Sequence, residues 1–111
     1  MNKEYEVKVT RQALEQMRAI LHYISYDLMA PEAAENLLND LKVAIMKLAA
    51  FPSRHALIEE EPWRSEGIRK IVVKNFLVYY WIDDKCKKVQ VTAVIYSKRD
   101  QIEQLKNMDM Q

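Results

Sequence analysis

At 111 residues, half of them hydrophobic and 30% charged, the chain suits one domain with a single core and has no segment polar enough to stay disordered. Its single glycine excludes the Gly-rich loops that cradle nucleotide phosphates, and its single cysteine, Cys86, excludes an internal disulfide or a thiolate metal site. The net charge of +1 hides an asymmetry, because residues 1–68 carry 8 Lys/Arg against 11 Asp/Glu whereas residues 69–111 carry 9 against 5.

Tyr5, Val7 and Val9 alternate with Glu6 and Lys8, the period-two pattern of a short half-buried strand. Thr10 can cap a helix in which Ala13, Leu14, Met17, Ile20, Leu21, Ile24 and Leu28 form one apolar stripe. Pro31 suits the first turn of a second helix, whose stripe of Ala34, Leu37, Leu38, Leu41, Ile45 and Leu48 runs to Phe51-Pro52. So short a link makes the two helices an antiparallel hairpin.

Residues 52–67, with Pro52, Pro62, the acidic run Glu59-Glu60-Glu61 and Gly67, read as an ordered loop. Ile68 to Val73 and Phe76 to Ile82 are rich in β-branched and aromatic residues and are separated by Lys74-Asn75, so they read as a hairpin. A turn over 83–87 leads into a last strand from Lys88 to Tyr96. The Asp100-x-x-Glu103 pair then starts a short closing helix with Ile102 and Leu105 on its inner side. The order β-α-α-β-β-β predicts an α+β domain over residues 1–111, an antiparallel β-sheet with the helical hairpin on one face.

The residue types exclude more chemistry than they suggest. His22 and His55 have no third ligand at a metal-site spacing, and Ser25, Ser53, Ser65 and Ser97 have no partnered base, so neither a metal, a cofactor nor a covalent nucleophile is expected. The carboxylates Glu59 to Glu61 read as solvated rather than as a general base. No apolar run approaches the roughly 18 residues of a membrane span, and Met1-Asn2-Lys3-Glu4 lacks the apolar core of a signal peptide, so a cytoplasmic protein is expected. The candidate site is a basic set, Arg69, Lys70, Lys74, Lys98 and Arg99, with Tyr79, Tyr80, Trp81 and Tyr96 on adjacent strands. Guanidinium forks and aromatic faces suit the phosphates and bases of a nucleic acid, although the same mixture also suits a solvated basic face over an aromatic core. Strand alternation places Arg69, Ile71 and Val73 on one face and Lys70 and Val72 on the other.

Val9 to Leu14 (VTRQAL), Tyr23-Ile24, Leu48 to Pro52, Gly67-Ile68-Arg69-Lys70, Asn75 to Asp83 (NFLVYYWID) and Val94 to Asp100 (VIYSKRD) together resemble the RelE/ParE superfamily of bacterial toxins, over nearly the whole chain. The resemblance implies the toxin of a type II toxin-antitoxin module, neutralised by a cognate antitoxin. Its target is then either DNA gyrase or the ribosome with its mRNA. For a RelE-like ribosome-dependent endonuclease, the resemblance puts Lys70 and Arg99 on the scissile phosphate. However, Val72, Phe76 and Leu105 stand where a second lysine, an arginine and a tyrosine are usual, leaving Tyr96 as a substitute for proton transfer. The long hairpin and the Lys-Arg-Asp spacing look more like the ParE branch, whose members inhibit gyrase, and this reading is slightly favoured. A further alternative is a non-toxic module that only binds antitoxin. In either case the charge asymmetry suggests that an acidic antitoxin tail covers Lys70, Lys98 and Arg99.

Overall fold

The Thr10 hydroxyl accepts from the Ala13 amide at 3.2 Å, and this cap starts α1, Arg11–His22, directly after strand β1, Glu6–Val9. The computed structural model describes residues 4–97, so the closing helix expected from Asp100 lies outside the described residues. After α1 the chain widens into a π-helical turn over Tyr23–Asp27, turns at Met29 with a left-handed φ of 53°, and enters α2, Pro31–Met46. Three strands follow the connecting segment: β2, Arg69–Val73; β3, Phe76–Asp83; and β4, Lys88–Tyr96.

The two stripes bury the faces their spacing assigns, with two exceptions. Ala13, Met17, Leu37, Leu41, Ile45 and Leu48 pack on the inner sides of Ile71, Val73, Val78, Tyr80, Val89, Val91 and Val94. Leu14 and Leu28, expected in the first stripe, are exposed. For Leu28 the reason is the π-helical turn: the Leu28 amide bonds back five residues to the Tyr23 carbonyl, so the 3.6-residue repeat is lost before that position.

The sheet order is β1-β4-β3-β2. β2, β3 and β4 form the expected antiparallel meander, with Val73 opposite Phe76 across the Lys74-Asn75 turn. β1, however, runs parallel to β4, pairing Val7 with Val89, so the sheet is mixed rather than wholly antiparallel. Tight turns dictate antiparallel pairing only where they join neighbours, and β1 reaches β4 through no turn; the helical hairpin carries the chain away between them.

Register assigns every sheet residue to a face. Val73, Phe76, Val78, Tyr80, Ile82 and Val94 point to the helices. Leu77, Tyr79, Trp81, Ala93 and Ile95 point to the opposite face, where Ile58, Trp63 and Ile68 of the connecting segment cover part of them. A bulge opposite Tyr79 and Tyr80 admits Thr92 as an extra residue on β4, and the Gln16 side chain of α1 accepts from the Val94 amide at 2.8 Å beside it. The loop over 52–67 is ordered, as its composition implies. It contains a 3-10 turn at Pro52–Arg54, a bridge from Leu57 to Arg69, and Glu61 accepting from the Ser65 amide and hydroxyl.

Candidate functional site

Among the described residues, the basic set Arg69, Lys70 and Lys74 does not converge. Lys70 stands opposite Tyr79 on the face away from the helices, next to Val72, which is 66% exposed. Arg69, one position earlier, points to the helix side, and its guanidinium donates to the main-chain carbonyls of Ser53 and His55. It therefore ties the connecting segment to β2 and is already occupied. Lys74 sits at a left-handed φ of 54° in the β2–β3 turn and pairs with Asp40 of α2 at 3.2 Å. Lys98 and Arg99 lie outside the described residues.

The aromatics divide in the same way. Tyr79 and Tyr80 are 1% and 0% exposed, so neither can stack on a base, contrary to the expectation for this set. Burial pushes both hydroxyls up to about 12; Glu60 adds to the rise at Tyr79, whereas Arg69 and Arg54 oppose it at Tyr80. The Tyr80 hydroxyl donates to the Pro52 carbonyl at 2.6 Å. Tyr96 is exposed, but it pairs with Phe76 and its ring lies 5.5 Å from that ring on the helix side. Lys70 and Tyr96 thus occupy opposite faces of the sheet, and no single phosphate could touch both. Trp81, half-buried, shares the open face with Lys70 and with the buried Tyr79.

A second group of cations was not legible as a cluster in the sequence. Tyr5 at the start of β1 donates its amide to the Ala49 carbonyl at 2.8 Å, drawing the N-terminal strand against the end of α2. A cleft of about 570 Å³ opens there. Met46, Ala49 and Ala50 line it, with Lys47, Arg54, His55 and Glu4. His55 faces this positive region; burial, then Arg54, then Arg69 hold its imidazole below the usual histidine range. These residues lie in three separate stretches of the chain, and their spacing carries no periodic signal. His22, by contrast, is a helix-surface residue as expected, its ring 4.6 Å from that of Tyr26. Among the described residues no group of three or more His, Cys, Asp or Glu could hold a metal, and no helix is long and apolar enough to cross a membrane.

Residues 7–101 match the family described as the ParE toxin of the type II toxin-antitoxin system parDE. The chain belongs to the ParE toxin family. Solved structures share the fold of this ParE-family chain at low identity. A chain of the chromosomal ParDE system from P. aeruginosa superposes with a TM-score of 0.67 at 21% identity, covering 86% of this chain and 99% of that one. A chain of the RelBE2 toxin-antitoxin complex from Mycobacterium tuberculosis gives 0.59 at 18% identity, covering 86% and 97%. A mutant of the E. coli toxin RelE in its free state gives 0.61 at 16% identity, covering 94% and 97%. No curated protein matches the chain. In this chain the fold carries Lys70 on its open sheet face and a cleft with Lys47 and Arg54 at the end of α2.

Proposed function

We propose that this ParE-family toxin is neutralised by a cognate antitoxin and arrests growth in the cytoplasm by inhibiting DNA gyrase rather than by cutting RNA. The observation that carries the choice is the make-up of the open sheet face. Phosphoryl transfer from an RNA 2′-hydroxyl needs several preorganised cations on one phosphate and a proton donor beside them, and losing one such contact costs about 3 to 4 kcal/mol of transition-state stabilisation. Here Val72 follows Lys70 on its face, Arg69 is held by loop carbonyls on the other side, Lys74 pairs with Asp40, and Tyr96 lies across the sheet. An inhibitor that works by binding needs no such convergence.

Ribosome-dependent RNA cleavage is the alternative, favoured by one observation: Lys70 is half-buried beside Tyr79 on the open face, where a cation would meet a phosphate. Induction of the toxin in bacteria without antitoxin separates the readings. Gyrase inhibition predicts growth arrest with intact messages, and loss of supercoiling when purified toxin is added to purified gyrase. Codon-phased cuts within translated messages, with supercoiling unaffected, would overturn it in favour of the nuclease. Absence of arrest would leave only an antitoxin-binding module.

A further inference from the structure

We propose that the cleft between the end of α2, the start of β1 and the Pro52–Arg54 turn receives a carboxylate side chain of the bound antitoxin. The aliphatic stem of that side chain lies on Met46, Ala49 and Ala50, and its charge lies between Lys47 and Arg54. The inference rests on the reading of the chain as a toxin that is held by an antitoxin. It goes beyond that reading by locating a contact at the end of α2, distinct from Lys70 on the open sheet face.

Three features single out this cleft. It is lined by the apolar Met46, Ala49 and Ala50 together with two cations, and among the described residues neither Lys47 nor Arg54 has an ion pair, whereas Lys74 is paired with Asp40. Glu4, the carboxylate that lines the cleft, leaves both cations uncommitted. The cleft also continues along the outer side of α2, since Met46 and Lys47 line both it and a shallow groove with Lys42 and Val43. Val43 and Met46 are exposed and three residues apart, so they present one apolar strip bounded by Lys42, Lys47 and Arg54. A strip of this kind is complementary to a peptide with apolar side chains on one side and acidic ones at its margins. A small free anion would use the cations and leave the strip uncovered.

His55 gives the contact a pH signature. The imidazole is held below the usual histidine range by burial and then by the positive charges of Arg54 and Arg69, while Lys47 and Glu4 line the same cleft and the Tyr80 ring stands perpendicular to it with the two centroids 6.4 Å apart. A carboxylate brought between Lys47 and Arg54 offsets that positive field, so His55 titrates higher in the complex and binding takes up a proton. Affinity should therefore strengthen as the pH falls from 8 towards 6.

The test uses the full chain and its cognate antitoxin, with binding measured by calorimetry. Reversing both charges, Lys47→Glu with Arg54→Glu, should raise Kd about 10- to 100-fold, as expected for loss of hydrogen bonds to a charged group. Lys85→Glu, on an exposed turn elsewhere, should leave Kd within a factor of two or so. A matching Glu→Lys or Asp→Lys change in the partner should recover part of the loss. If the charge-reversed chain fails to fold, as judged by circular dichroism, the neutral pair Lys47→Ser with Arg54→Gln carries the same expectation in direction. Tight binding that ignores these substitutions, or a His55 titration measured by NMR that does not rise in the complex, would overturn the cleft assignment and leave the antitoxin reading standing. No complex with that partner would overturn the antitoxin reading and the cleft with it.

Discussion

Tyr80, in the middle of β3, is tied by its hydroxyl to the Pro52 carbonyl, across a gap that the sequence does not reveal. The bond closes the connecting segment over the helix-side core, and Arg69 repeats the operation by donating to the carbonyls of Ser53 and His55. Two side chains from neighbouring strands thereby hold the turn that carries Arg54 and His55. Tyr80→Phe keeps the ring and removes the donor, leaving the buried carbonyl without its partner. Unfolding by urea should show a loss of about 1 to 3 kcal/mol. An unchanged midpoint would mean that water reaches the Pro52 carbonyl and that the bond does not hold the turn. At this scale the sequence was readable only where chemistry is local. Thr10 was identifiable as a cap because its partner lies three residues away, and strand alternation placed Arg69 and Lys70 on opposite faces. That Arg69 would be consumed by loop carbonyls 14 to 16 residues earlier in the chain was not readable, because no pattern links a strand arginine to a loop carbonyl.

The elements follow their periodicities until something interrupts the repeat. α2 keeps its stripe from Ala34 to Ile45 and buries all of it except part of Leu38. The first stripe still reaches the core at Ile24 inside the π-helical turn but is lost by Leu28, and the tip presents Tyr23, Tyr26, Leu28 and Met29 to solvent. Apolar composition there looked like continued helix because periodicity cannot distinguish a helical repeat from a helix that widens. The contact between α1 and β4 has a similar hidden component. The bulge at Thr92 shifts the register of β4, and the Val94 amide beside it finds its acceptor in Gln16. Gln16→Leu fills the same space without an acceptor and should destabilise the fold by about 1 to 3 kcal/mol, whereas Gln16→Glu keeps the oxygen and should cost less. Chemical denaturation of the two variants decides the matter. Equal losses would show that Gln16 acts through packing alone.

Across the whole molecule, one pairing decides the architecture: β1 with β4, joined in space over nearly the full length of the chain. The sequence contains both strands but no turn to relate them, which is why the meander was legible and the mixed character of the sheet was not. The core is two-sided, with Tyr80 of β3 buried against the helices and its neighbour Tyr79 against the connecting segment. Because burial raises both hydroxyls to about 12 from an ordinary 10, the folded chain retains two protons over a range in which the unfolded chain has lost them. The stabilising difference is complete below pH 10 and disappears as the pH climbs through 12. Each tyrosine should make stability fall by about 1.4 kcal/mol per pH unit at most within that window. Denaturation midpoints at pH 8, 10 and 11.5 should therefore be nearly equal for the first two and clearly lower for the third. The slope should shrink in Tyr79→Phe and again in Tyr80→Phe, since a phenylalanine has no proton to lose. If the alkaline loss is the same in both variants as in the parent chain, it belongs to other groups. In that case the two buried tyrosines do not set the upper limit of the pH range in which the fold persists.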